Sequence, residues 1–139
     1  MNTTVVRVVV DTNIVISMVG KKSPYRWLFD AIINGDLILC ISNEILLEYN
    51  EILEEKNGVE VAENITNFLS VYPFVEQYQI HFNFNLIPND EDDNKFADCY
   101  IVAQAQYLIS NDKHFKVLKD LEFPEINIVT IEEFDEIYR

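Results

Sequence analysis

The chain has 139 residues, with 24 acidic against 10 basic side chains and a net charge of −14. That length fits one domain, residues 1–139, with a single core; 49% hydrophobic residues and only 3 Gly and 4 Pro argue against a disordered tail. No apolar run approaches the ~20 residues of a membrane span, and residues 1–4 lack the basic segment of a signal peptide, so a cytoplasmic location is expected.

The first element is a strand, Val5-Val6-Arg7-Val8-Val9-Val10, ending in Asp11-Thr12-Asn13. An unbroken β-branched run suits a strand covered on both faces, as in a parallel sheet. A short helical start follows at 14–19. Ser23 and Pro24 then predict a helix that begins at Pro24 and closes near Asn34-Gly35. A second buried strand spans 37–41, and Ser42 caps a helix to about 57, with Ile45, Leu46, Tyr49, Ile52 and Leu53 on its apolar face. Another helix runs over 59–71 and is closed by Pro73. The stretch 74–89 reads as a short strand within loop. A helix over 93–106, a strand over 107–110, a helix over 113–121, a strand over 126–130 and an acidic helix over 131–138 complete the chain. This alternation predicts an α/β three-layer sandwich with a mostly parallel central sheet. Cys40 and Cys99 lie in apolar surroundings and read as buried thiols of a reducing compartment; without paired Cys/His spacing a zinc site is not expected.

Ligands of open α/β sheets sit beyond the carboxyl ends of the strands, and Asp11 stands there. The bland account is that its side chain merely caps the next helix. Asp112 follows the strand at 107–110, Asp93 opens the helix before that strand, and Glu48 lies on the helix after the second strand. Grouped carboxylates repel one another without a cation, and magnesium or manganese prefers such oxygen ligands. Glu48 also belongs to a stripe, Glu44, Glu48, Glu51 and Glu55, that reads equally as a solvated helix face. Asp90 to Asp93 likewise reads as a solvated acidic run at a helix start.

The negative balance opposes nucleic acid unless the basic residues are concentrated. Seven of the ten follow closely on the singled-out acids: Lys21, Lys22, Arg26, Lys95, Lys113, Lys116 and Lys119. A solvated scatter of lysines is the competing account.

Four segments together resemble a PIN-domain ribonuclease of the kind found as toxins in bacterial toxin–antitoxin pairs. They are Val-Val-Asp11-Thr-Asn13, Ser42 with Glu48, Asp92-Asp93-Asn94-Lys95-Phe96, and Tyr107-Leu-Ile-Ser110-Asn-Asp112-Lys-His-Phe115. The resemblance implies a Mg2+ or Mn2+ site built from Asp11, Glu48, Asp93 and Asp112, supported by Asn13 and Ser110. Ser110 replaces the family's commoner threonine and keeps the hydroxyl. Asp98, in Asp98-Cys-Tyr-Ile101-Val-Ala103, competes with Asp93 as the third acid. Asp93 precedes Asp112 by 19 residues, room for a full helix, turn and strand, and Asp98 by only 14. On an ideal helix the two point about 140° apart at ~100° per residue; spacing favours Asp93.

The implied reaction is hydrolysis of RNA phosphodiesters with one or two metals. Lys113, His114 and Lys116 would face the phosphate backbone, although His114 reads equally as a surface residue. Phe115 and Trp27 could stack bases but fit core packing better. The resemblance also implies a small antitoxin partner and allows a homodimer. The competing account is a degenerate PIN-like domain that binds RNA or protein without cleaving. A phosphoaspartyl phosphatase needs an acid where Asn13 stands, and a receiver domain needs paired acids beside the first strand.

Overall fold

The computed structural model describes residues 5–87 and 91–139, the side chains of Glu91 and Asp92 excepted. Part of the Asp90 to Asp93 run therefore lies outside the described residues. Among those described, five strands form one sheet in the order β3-β2-β1-β4-β5. They are β1 (Val6–Val10), β2 (Leu37–Ser42), β3 (Val75–Tyr78), β4 (Tyr107–Ile109) and β5 (Ile128–Val129). Every pairing is parallel, so the sheet goes beyond the mostly parallel expectation. The valine run takes the central place: Val8, Val9 and Val10 are wholly buried, and Val8 pairs with Leu39 on one side and Tyr107 on the other. Arg7, the polar residue of that run, is half-buried, and its Nε donates to Glu76 Oε1 at 2.9 Å.

The helices are α1 (Thr12–Met18), α2 (Arg26–Ile33), α3 (Asn43–Asn57), α4 (Val59–Val71), α5 (Glu91–Ala103) and α6 (Ile131–Tyr138), with a 3₁₀ helix at Lys113–Asp120. Crossovers between parallel strands are right-handed. Steps from β1 to β2 to β3 therefore lay α1 to α4 on one face, and the reversed steps through β4 and β5 lay α5 and the 3₁₀ helix on the other. In keeping with this, α1 packs on α2 and α3, α3 on α4, and α5 on β1 and β2.

Several boundaries differ from the sequence expectation. α1 starts at Thr12 because Asp11 caps it directly. α2 starts at Arg26 and not at Pro24, because Ser23 closes a turn first: its Oγ accepts from Tyr25 N at 3.0 Å and its carbonyl from Arg26 N at 3.1 Å. α5 stops three residues early, at Ala103, where Gln104 turns to a positive φ of 54°. The segment after Asp112 is a 3₁₀ helix where an α-helix was expected, and β5 shrinks to two residues. α4 and α6 have the bounds read from the sequence. Ser42 caps α3 as expected, accepting from Ile45 N at 3.2 Å. Gly35, at φ 81°, ends the α2 turn where a Cβ would come within 2.8 Å of the Phe74 ring.

Tyr49, Phe96, Phe115 and Phe134 are the largest wholly buried side chains. Trp27 stacks on Phe134 and Tyr138, so both aromatics considered for base stacking are spent on packing. The two cysteines are free and buried, and burial pushes the Cys40 thiol up to about 12. Among the described residues no helix is long and apolar enough to cross a membrane.

Candidate metal centre

The strand order reverses between β1 and β4, and such a switch point opens a crevice beyond the carboxyl ends of the two strands. Asp11 extends β1 by one residue, its N–H donating to Ile109 O at 3.0 Å. The preceding carbonyl, Val10 O, accepts from the buried Tyr49 hydroxyl at 2.5 Å, which ties the strand end to α3. Asp11 is only 6% exposed. Its Oδ1 accepts from Thr12 N at 2.8 Å and its Oδ2 from Ser110 Oγ at 2.9 Å. Ser110 Oγ in turn accepts from Asp112 N at 3.0 Å, so one hydroxyl sets the spacing of both acids. Burial pushes the Asp11 carboxyl above the usual range; the two hydrogen bonds oppose this, and the negative charges of Asp112 and Glu48 add to it.

Asp112 caps the 3₁₀ helix, its Oδ1 accepting from His114 N at 2.9 Å. Asp93 sits in the first turn of α5 with its side chain 15% exposed. The His114 ring lies between these acids, Nδ1 being 3.4 Å from Asp93 Oδ2 and 3.5 Å from Asp112 Oδ1. One donor atom from each of Asp93, Asp112 and His114 lies within 4.8 Å of the other two. Converging carboxylate oxygens with one imidazole nitrogen, backed by a buried carboxylate, fit a divalent cation. Glu48 comes to the same end of the sheet with both oxygens engaged: Oε2 accepts from the Thr12 hydroxyl, and Oε1 pairs with Lys95 Nζ at 2.8 Å.

A profile described as PIN domain matches residues 7–114, from β1 through the Asp112–His114 turn. The chain belongs to the PIN-domain family. This PIN domain is similar in structure to VapBC2 from Rickettsia felis bound to a promoter DNA fragment, with TM-score 0.60, 18% identity, and coverage of 89% of this chain and 98% of that one. DNA-bound VapBC from Salmonella typhimurium matches at TM-score 0.60 and 17% identity, covering 90% and 98%. The PIN-domain endonuclease Utp24 matches at 0.55 and 18%, covering 89% and 84%. At these identities the likeness establishes the fold. No curated protein matches the sequence significantly. Family and fold together support a PIN nuclease.

The remaining candidates divide. Asn13 is exposed and lines a 350 Å³ cleft with Asp11, Tyr25, Asn111 and Asp112. Asp98 faces elsewhere: it is 3% exposed, accepts from Phe84 N at 3.1 Å, and lines a separate 260 Å³ cavity with Glu44, Asn83 and Asn85. Burial raises its carboxyl, and the Glu44 charge adds to that. Lys113, Lys116 and Lys119 border one shallow depression with Ser110, Asn111 and Asp112. Side chains three apart eclipse in a 3₁₀ helix, so the three lysines form a row. Two of the other grouped cations serve internal pairs: Arg26 holds Val19 O and Asp30, and Lys95 holds Glu48. His114 is the one member of the cluster left out of the acid set read from the sequence. Its only signal was its place two residues after Asp112.

Proposed function

We propose that residues 1–139 act as one domain, a Mg2+- or Mn2+-dependent endoribonuclease that serves as the toxin of a toxin–antitoxin pair. The observation that carries this reading is the meeting of Asp93, Asp112 and His114 beside buried Asp11 at the β1/β4 switch point. Asp11, Asp93 and Asp112 would hold a divalent ion, with Glu48 completing the shell directly or through water, and the ion would supply Lewis-acid polarisation of a phosphate oxygen and a more acidic water. The chain's own contribution is placement. Ser110 fixes the spacing of Asp11 and Asp112, Thr12 and Lys95 hold Glu48, and Asn13 lines the cleft. The lysine row beside Asp112 takes the phosphates of a single strand and offsets the acidic surface. The VapBC neighbours support an antitoxin partner, and the reading extends to a homodimer and to the cytoplasm.

Single-stranded RNA should be cleaved by the protein, uncut after chelation, and cleaved again on adding magnesium or manganese. Metal-independent turnover would remove the metal from the reading, and no turnover in either metal with the protein folded would leave a binding module in its place.

A second expectation concerns the lysine row. Each phosphate neutralised on a single strand contributes about 0.7 to the log–log salt slope. Replacing Lys113 and Lys116 together by Ala should weaken RNA binding and flatten that slope by roughly one to one and a half units. Binding is measured in calcium, across several salt concentrations, so that turnover does not interfere. An unchanged slope would mean that RNA runs elsewhere.

A further inference from the structure

Resting on the metal-centre reading above, we infer that His114 is a nitrogen ligand of the ion and that this ligand turns the centre toward manganese and away from magnesium. The acids of the cluster supply only hard oxygens, which do not separate the two metals strongly. His114 adds a donor of different character at the same point. Its Nδ1 stands 3.4 Å from Asp93 Oδ2 and 3.5 Å from Asp112 Oδ1. Adjacent donors of an octahedral ion with bonds of about 2.1 Å are about 3 Å apart. The nitrogen therefore needs to close on each of these two oxygens by only about half an ångström to share an ion with either.

The backbone that carries the ring is fixed from both sides, while the ring itself is 67% exposed and reaches the acids from solvent. His114 N donates to Asp112 Oδ1 at 2.9 Å, which locks the first turn of the 3₁₀ helix. The next residue, Phe115, is wholly buried and packs edge-on against Phe96 of α5, the helix that carries Asp93. The same contact thus fixes the backbone of His114 relative to the helix that carries Asp93. Of the two metals manganese is the transition ion and accepts an imidazole nitrogen, though less tightly than iron, nickel, copper or zinc do, whereas magnesium keeps to carboxylate, carbonyl and water and dehydrates reluctantly.

Pulsed electron paramagnetic resonance of the manganese-loaded protein tests this without turnover. The expected spectrum carries nitrogen modulation from a directly bound imidazole, which changes to the 15N pattern when histidine is 15N-labelled. The chain has two histidines, so His81→Ala keeps the signal and His114→Ala removes it. By calorimetry His114→Ala should weaken manganese about tenfold and magnesium by no more than about twofold. Manganese bound with no nitrogen modulation, or equal losses for both metals, overturns the role of His114 and leaves the metal centre standing. If the folded wild-type protein binds neither manganese nor magnesium, the metal-centre reading itself falls.

Discussion

Asp11→Asn should reduce metal-dependent RNA cleavage by about a thousandfold while leaving the fold intact. The exchange keeps the size of the group and the bond from Thr12 N, and an amide can face Ser110 with its NH2 while the hydroxyl still accepts from Asp112 N. What disappears is the charge. The same charge is a burden on the metal-free protein, because burial raises the Asp11 carboxyl and Asp112 and Glu48 raise it further. A carboxyl whose pKa is higher in the folded state binds more protons there than in the unfolded chain. Stability of the wild type therefore falls as pH rises from the ordinary carboxylate value toward the folded one, and the deficit stays constant above it. Asp11→Asn lacks that deficit. In chelator it should melt higher than the wild type at neutral pH, with the difference closing on acidification below the ordinary carboxylate range. Full turnover in the mutant, or a lower melting temperature at neutral pH, contradicts the account.

Asp93→Asn and Asp98→Asn should separate just as clearly. Asp93 faces Asp112 and His114, so its loss should raise the metal concentration needed for half-maximal cleavage more than about tenfold. Asp98 accepts from Phe84 N and lines another cavity. Asn keeps that bond, so Asp98→Asn should leave the metal requirement within about twofold of the wild type. Its melting temperature at neutral pH should equal or exceed the wild type's, since a buried charge with a raised carboxyl is removed. The reverse ranking in a metal titration would hand the ligand role to Asp98.

These two acids also show what a sequence carries and what it withholds. Helical angle and spacing sufficed to set Asp93 and Asp98 on different sides, because both sit on one regular element. Asp11 does cap α1 through one oxygen, as the bland account had it, and its other oxygen accepts from Ser110, the hydroxyl it shares with Asp112. α4 was legible to the residue since Gly58 and Pro73 bracket it. α5 had no such punctuation, and its end depends on a glutamine taking a left-handed turn. The 3₁₀ helix was hidden for a different reason. Phe115 and Leu118 three apart satisfy an α-helical pattern as well as a threefold one, and only the matching interval of Lys113, Lys116 and Lys119 hinted at the tighter winding. The engagement of Glu48 by Lys95, and of Asp93 by His114, depends on residues distant in the chain and could not be read locally.

That tighter winding gives the proposed RNA contact the character of a comb. A 3₁₀ turn advances about 6 Å, and successive teeth point the same way, whereas an α-helix would swing each third residue aside by about 60°. Teeth of equal charge and even pitch grip whatever strand fits between them and are blind to its letters, since phosphate contacts set register and carry no sequence. A strand lodged there can slip by one nucleotide and meet the same grip, presenting the next bond to the acids beside the first tooth. Any choice among bonds must then be made off the comb, by groups that touch the bases.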